Sequence, residues 1–469
     1  MESEKREKTA EEKIAGFLKF GSRLGLERMS VLMNKLGDPQ DDFDVIHIAG
    51  TNGKGSCARY LYETLVEAGY RTGIFISPYL EKFNERIEFD RRLISDEELS
   101  DCTDTVLEKV REMTDEGSES PTEFEVVTAV CFLYFSRMKC EIAVLEVGLG
   151  GRGDSTNVVK SPLVSLITSI SFDHMDVLGN TITEIAGEKA GIIKEGCPVV
   201  VSTEREDALK VFREKAEEKN APLYDTMELT SVNIKQMTPD GSVFDFTMES
   251  EGCSFEDMRI SMGGRHQITN AAEALAAVAV LRHRLDIPDG AVREGFRRAV
   301  QPGRFEVLYR PDGKGKPWVI IDGAHNRDGA EKLREAVEEF FPGKRILTVC
   351  GILADKEVNS ILDSFCSFTK DFIAAEPDSE RKLTAYELAG AIHDRDKLVY
   401  EIPSPDDAAA MAMSVGKGYD LVLFAGSLYL IGHIRTVLRE HYLRAGNICF
   451  DKAEEEESFS FGVTEEGDD

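Results

Sequence analysis

Between His47 and Leu65 the sequence reads HIAGTNGKGSCARYLYETL, and its glycines, lysine and hydroxyls are residue types that hold phosphate. The segment Gly50-Thr51-Asn52-Gly53-Lys54-Gly55-Ser56 follows an apolar run and precedes a helical pattern. A strand, a glycine-rich turn and a helix start present successive backbone N–H groups to an anion, and Lys54 adds a point charge suited to a β- or γ-phosphate. The common spacing GxxxxGK[ST] is not met: Ile48 stands where its first glycine belongs, and Gly55 follows the lysine. A plain strand-to-helix turn would not require three glycines around one lysine, so bound phosphate is the reading.

Two further segments carry chemistry on the same side of a sheet. VLEVGLGGRGDSTN places Glu146 at the end of an otherwise apolar strand, where a lone carboxylate is costly unless paired or bound to a cation. TSISFDHMD ends a second strand with Asp173, His174 and Asp176. Glu146 and His174 beside the Lys54 loop are candidate Mg²⁺ ligands, although imidazole is an unusual partner for so hard an ion. A capping or hydrogen-bonded histidine is the competing reading of His174 taken alone. Farther along, WVIIDGAHNRDG places Asp322 just past a strand, with His325 and Asn326 at a helix start. Asp322 suits a ribose hydroxyl or an ammonium group, while a simple N-cap at Asn326 or Asp328 is the alternative. In PGRFE, Arg304 sits beside a hinge whose closure would bring its guanidinium onto a phosphate. There is no GxSxG, no Cys/His catalytic signature and no dinucleotide GxGxxG; the GLGGRGD run lies in the wrong setting for that role.

These residues need a scaffold. DVIHIAG reads as a buried strand, and Ala58, Leu61, Tyr62, Leu65 and Val66 then share a helical face that stops at Gly69. EIAVLEVG and SPLVSLITSISFD are further strand cores, and the alternation with helices predicts a mostly parallel sheet covered on both faces. Between about Leu223 and Ile260 a polar, alternating pattern predicts a small antiparallel excursion. A second alternation has strand cores at Trp318 to Ile321, Arg345 to Val349, Phe372 to Ala375, Leu398 to Ile402 and Leu421 to Phe424. It predicts a Rossmann-like doubly wound domain, with Pro302–Gly303 as the hinge. The expected division is an ATP-binding domain over 1–300, a second ligase domain over 301–450 and an acidic, disordered tail over 451–469.

The 469 residues carry 56 Lys+Arg against 86 Asp+Glu, a net charge of −30, which argues against a nucleic-acid or anionic-membrane surface. Nine cysteines are scattered without a CxxC pair or metal-ligand spacing and read as buried thiols of a reducing compartment. The N-terminus lacks an apolar signal core and no apolar run approaches about 18 residues, so a cytoplasmic protein is expected.

Taken together, LGLERM, HIAGTNGKGS, FISPYLEKFNERI, TEFE, LEVGLGGRGDSTN, SFDHMDVLG, EKAGIIK, PGRFE, DGAHN, GILADKE and FAGSLYLIGHI closely resemble the folylpolyglutamate synthase/dihydrofolate synthase family of Mur-type ATP-dependent amide ligases. The motifs run collinearly along most of the chain, and the deviant GTNGKGS loop is the family's own form. The resemblance implies a P-loop Mur-ligase-like ATPase domain followed by a Rossmann-like one. It implies that the loop from Gly50 through Ser56 holds the ATP phosphates, and that Ser77, Glu146 and His174 ligate Mg²⁺, with room for a monovalent cation. Lys189 of EKAGIIK matches a lysine that family members carry as a carbamate. Asn270, Arg304 and Asp322 match nucleotide contacts. Thr122, Glu123, Phe124 and Glu125, with Gly153, Asp154 and Ser155, match substrate-contacting stretches; Arg23, Leu24, Gly25 and Leu26 resemble a pterin-side loop.

The implied reaction joins the amine of L-glutamate to a folate or dihydropteroate carboxylate through an acyl phosphate, giving ADP and phosphate. Lys54, Lys189, Asp322 and His325 are the expected catalytic set, His325 orienting the incoming glutamate. Domain closure would keep water from the acyl phosphate. The partners implied are small molecules, with neither nucleic acid nor membrane, and the chain is expected to be a monomer. The alternatives are a Mur-type ligase acting on another carboxylate, such as a peptidoglycan precursor or a modified pterin, and a kinase or nucleotide-binding module without ligation.

Overall fold

The computed structural model describes residues 8–21, 23–311, 316–444 and 447–448. The segment 451–469, read from sequence as a disordered tail, and Cys449 lie outside the described residues. The other eight cysteines are free thiols, all buried. Two compact units meet in the chain between Pro302 and Gly303.

The first unit is built on an eight-stranded sheet. Its strands are β1 (Asp44–Ala49), β2 (Thr72–Phe75), β3 (Ile87–Phe89), β4 (Arg92–Leu93), β5 (Ile142–Glu146), β6 (Val164–Ile167), β7 (Val199–Val201) and β8 (Leu223–Asp225). They lie in the order β4-β3-β2-β5-β1-β6-β7-β8, parallel except at β2/β3 and β3/β4. Strand β1 is buried from Val45 onward and apolar apart from His47, as expected of a central parallel strand covered on both faces. From it the chain first feeds β2, beyond β5, and later β6 on the other side. This reversal opens a crevice at the carboxyl ends of β1, β5 and β6.

The helix Lys54–Glu67 leaves that crevice buried from Ser56 through Leu65, because helices cover both its sides. The helix Arg265–Leu281 lies against it, and so does the helix Asp289–Arg298. In the latter, Phe296 stacks on Tyr60 at 4.7 Å between ring centroids, a contact contributing about 0.5–1.5 kcal/mol beyond its buried area. A three-stranded antiparallel sheet of β9 (Ser231–Thr238), β10 (Gly241–Met248) and β11 (Cys253–Ile260) turns Phe244, Phe246 and Met248 into the same core. The antiparallel excursion therefore starts at Ser231, not at Leu223: residues 223–225 pair in parallel with β7, where their short run completes the main sheet.

The second unit holds β12 (Glu306–Tyr309), β13 (Trp318–Asp322), β14 (Ile346–Cys350), β15 (Asp371–Ala374), β16 (Leu398–Glu401) and β17 (Leu421–Ala425). Their order is β12-β13-β17-β14-β15-β16. Five of them are the expected parallel strands. The sixth, β12, is an antiparallel edge strand that is not among the strand cores read from the sequence. Its partner β13 ends at Asp322, so the pairing Glu306↔Ile321 brings the PGRFE segment beside DGAHN.

Candidate active site

The loop after β1 has the form of an anion cradle. Gly53 adopts the left-handed conformation (φ 89°) and no side chain caps the helix that follows, so its first N–H groups point outward for a ligand. A β-carbon on Gly53 would lie 2.5 Å from Asn270 Oδ1, and one on Gly50 would collide with Thr168 Oγ1. The loop is pinned from outside. Thr51 N–H donates to Ser169 O (2.8 Å), Thr168 Oγ1 donates to Asn52 O (2.7 Å), and the Thr51 hydroxyl exchanges hydrogen bonds with the Ser171 backbone. TSIS is thus the second wall of the phosphate loop. Lys54 Nζ folds back to donate to Gly50 O and Thr51 O, both at 3.1 Å.

Lys189, at the end of the helix Ile182–Lys189, is 4% exposed, and its Nζ donates to the same Gly50 carbonyl at 2.7 Å. Burial first, then the Lys54 charge, lowers its ammonium to about 7; Asp173 works in the opposite direction. This amine is buried, and near pH 7 about half of it is in the neutral form.

Glu146 ends β5, 6% exposed, and its Oε2 accepts from Ser77 N–H at 3.2 Å. The same oxygen lies 3.6 Å from the place a β-carbon on Gly55 would take. A buried carboxylate beside a hydroxyl residue and a phosphate loop is the hard-oxygen set that Mg²⁺ prefers, so these residues fit the ion. His174 is half-exposed, in the left-handed conformation (φ 50°) at the start of the helix Met175–Leu178, with Nε2 3.9 Å from Asp173. Among the described residues no three His, Cys, Asp or Glu side chains converge as a complete metal cage. An ion here would complete its shell with oxygens from outside that set, those of the nucleotide and of water among them.

The stretches read as acceptor-side contacts are tied to one another. Gly25 N–H donates to Gly153 O (2.9 Å), and a β-carbon on Gly153 would meet Leu24. Arg28 spans the gap, donating to Arg23 O (2.8 Å) and pairing with Glu125 (3.1 Å). Arg23 itself is exposed and Leu26 half-buried. Thr122 and Glu125 form a reciprocal capping box on the helix Glu123–Arg137, so their polar groups are committed to structure. T-x-x-E is the sequence signature of that box, and it was the available signal for this role. Glu123 makes a long ion pair with Arg86, and the Phe124 ring occupies the space a side chain at Gly148 would need. Ser155 shares a 2.6 Å hydrogen bond with Thr128.

Asp154, 2% exposed, accepts from Leu149 N–H, Thr156 N–H and Thr156 Oγ1. That hydroxyl, having given its proton to Asp154, accepts from the buried His47 Nε2 at 2.9 Å. His47, from the middle of β1, was not assigned a role from sequence. It anchors the 149–156 turn to the strand that carries the phosphate loop.

Burial, then the Lys194 charge, holds the His47 ring down at about 3, against 6.5 for a free imidazole. Between those pH values the unfolded chain binds a proton that the folded one refuses. Stability therefore falls as pH drops below about 6.5, by up to about 1.4 kcal/mol per pH unit. In His47→Gln this component disappears. Urea denaturation between about pH 6.5 and 4 should show a shallower pH slope for the variant than for the wild type. Equal slopes would mean that the ring takes up its proton inside the fold.

A second buried acid went unnoticed in the sequence. Glu273, in the helix Arg265–Leu281, is pushed up to about 7 by burial and accepts from the Cys57 thiol at 3.4 Å. It locks that helix to the one that follows the phosphate loop. Asn270, one turn earlier, donates to Gln267 Oε1 (3.1 Å) and lies against Gly53.

In the second unit Asp322 is 7% exposed and accepts from Phe305 N–H (2.7 Å) and Ala324 N–H (2.8 Å). Burial raises its carboxyl and the nearby Arg304 charge opposes that rise. Both oxygens hold backbone, which makes Asp322 first an anchor of PGRFE and DGAHN. His325 Nδ1 lies 2.7 Å from Gly323 O, so that nitrogen carries the proton. Asn326 caps the helix Arg327–Phe340 by accepting from Gly329 N–H at 2.8 Å, which is the N-cap weighed as an alternative.

The Mur ligase middle-domain model matches residues 48–278, and the Mur ligase glutamate-ligase-domain model matches 303–428. A dihydrofolate synthase/folylpolyglutamate synthase of Bacillus subtilis is 41% identical over 91% of this chain and 97% of its own. The folylpolyglutamate synthase of Thermotoga maritima superposes with a TM-score of 0.81 at 36% identity, covering 94% of this chain and 98% of that one. A Mycobacterium tuberculosis folylpolyglutamate synthase complexed with ADP gives 0.82 at 32% identity, over 91% of this chain and 97% of that one. An Escherichia coli relative in complex with DHPP and ADP gives 0.81 at 29% identity, over 92% and 98%. No helix among the described residues is long and apolar enough to cross a membrane.

Proposed function

The chain belongs to the folylpolyglutamate synthase/dihydrofolate synthase family of Mur ligases, and from that premise we propose that it uses ATP to join L-glutamate to a folate or a dihydropteroate carboxylate. The observation that carries this reading is the convergence at one sheet edge of an uncapped helix N-terminus, two lysines on the Gly50 carbonyl, and the buried Glu146. That set suits transfer of a phosphoryl group, and the ligase family supplies the acceptor chemistry.

A carboxylate is a poor acyl donor because oxide cannot leave. In the proposed sequence a carboxylate oxygen attacks the γ-phosphorus, the bond to ADP breaks, and an acyl phosphate forms. The glutamate amine then attacks the acyl carbon, phosphate leaves with the C–O bond pair, and the ammonium proton is shed as the amide forms. Lys54 swings from its loop carbonyls to the γ-phosphate, and the first N–H groups of its helix hold the β-phosphate. Glu146 and Ser77, with His174, would hold Mg²⁺, which when bound neutralises charge on the phosphate oxygens. Lys189 is proposed to bear a carbamate, turning a buried amine into an anionic oxygen donor for that ion. Asn270, Asp322 and Arg304 are assigned to the nucleotide, Arg304 to a phosphate.

His325, its Nδ1 donating to Gly323 O, is assigned to orienting the incoming glutamate. His325→Ala with unchanged glutamate KM and kcat would remove that role. The stretches around Leu24, Phe124 and Gly153 are assigned to the acceptor, and the chain is taken to work as a monomer. Incubation with ATP, glutamate and either dihydropteroate or tetrahydrofolate should give a product heavier by one glutamyl residue, with phosphate released only when both co-substrates are present. Phosphate retained on the acceptor, or released with neither co-substrate, would sink the ligase reading.

A further inference from the structure

Phe305 is a large, buried aromatic residue in the left-handed backbone region, at φ 46°. That conformation is unfavourable for any residue with a β-carbon and persists only where its surroundings over-determine it. The surroundings here are specific. On the far side of Arg304, Gly303 N–H donates to Glu306 Oε2 (2.8 Å) and Gly303 O accepts from Gly323 N–H (2.8 Å). On the near side, Phe305 N–H donates to Asp322 Oδ2 at 2.7 Å, and its ring packs on Phe340 at 5.8 Å. Two carboxylates thus hold the backbone N–H groups of both residues flanking Arg304.

Asp322 is itself fixed by Ala324 N–H, 2.8 Å away. Glu306 is fixed by a residue from much later in the chain. Arg435, 8% exposed in the helix Leu428–Val437, donates from Nε (3.0 Å to Oε2) and Nη2 (2.8 Å to Oε1) in a two-pronged pair. Such a fork fixes the plane of the carboxylate as well as its position, which an ammonium cannot do.

We propose that Arg435 is a positioning residue for Arg304: through Glu306 it holds the strained Gly303–Phe305 turn that presents the Arg304 guanidinium for phosphoryl transfer. This rests on the reading of Arg304 as a phosphate ligand. A shift of about 1 Å in such a ligand is enough to cost on the order of 100-fold in rate.

The test is a double-mutant cycle of Arg435→Lys and Arg304→Ala, read as kcat, ATP KM, acceptor KM and Tm. Arg435→Lys keeps the buried charge paired while removing the fork. It should lower kcat about 10- to 100-fold and leave acceptor KM within about twofold. In the Arg304→Ala background the same change should cost less than about twofold, because the residue it acts through is gone. Equal losses in both backgrounds, or a lowered Tm with unchanged kcat, would overturn the proposal. If Arg304→Ala alone leaves kcat and ATP KM unchanged, the phosphate reading of Arg304 fails first and takes the proposal with it. Should Arg435→Lys not fold, Arg435→Gln paired with Glu306→Gln replaces the ion pair by a neutral one in the same cycle, and the same outcomes decide.

Discussion

Lys54→Met is expected to lower kcat for ATP-dependent glutamate addition by about 10²–10³-fold while leaving the fold intact. The size follows from where charge develops. As the γ-phosphoryl group passes to the carboxylate, negative charge spreads over its oxygens, and a fixed cation in a water-poor crevice stabilises that state more than the ground state. The fold should survive because, among the described residues, the Lys54 ammonium bonds only to the Gly50 and Thr51 carbonyls. The loop has other supports in Ser169, Thr168 and Ser171. Steady-state kinetics at saturating ATP, with Tm beside them, decide the matter. A loss confined to ATP KM would show that Lys54 binds the ground state and transition state equally.

Lys189→Arg should be nearly as damaging, and its second signature is a changed response to carbon dioxide. CO₂ adds only to the unprotonated amine: an N–C bond forms, the nitrogen loses a proton, and an anionic carbamate results. With the amine at about 7, the reactive form falls away below that pH and predominates above it. Wild-type activity should therefore rise through about pH 7. At about pH 6.5, added bicarbonate should restore part of it. Lys189→Arg, which offers no neutral amine in this range, should lose about 10²–10³-fold in kcat and show no bicarbonate response. Identical rates in CO₂-depleted and bicarbonate-rich buffer, with no ¹³C carbamate signal from labelled bicarbonate, would refute the modification.

The central strands and the loop were legible because their signals are local. A buried parallel strand is a continuous apolar run, and a phosphate cradle is glycine and lysine before a helix. What stayed hidden depends on partners far away in sequence. His47 meets Thr156 across 109 residues, Cys57 meets Glu273 across 216, and Glu306 meets Arg435 across 129. No periodicity in one segment announces a hydrogen bond to another. The edge strand β12 was lost for a different reason: four residues beside Pro302–Gly303 look like linker until β13 supplies their ladder. Thr122 and Glu125 show the opposite case: their capping box is written in the local pattern T-x-x-E, beside the acceptor-side role that the resemblance implies for the same stretch.

The pins on the phosphate loop also set a timetable for its birth on the ribosome. Its residues emerge early, yet the segment that braces them, residues 168–171, and the amine that grips Gly50, from Lys189, are made more than a hundred residues later. At about 5–20 residues per second that interval is on the order of 10 s. Throughout it the nascent chain carries the nucleotide motif without the nucleotide site. A polypeptide interrupted before Ser171 should then be unable to retain ATP, which keeps unfinished molecules from capturing a substrate they cannot use.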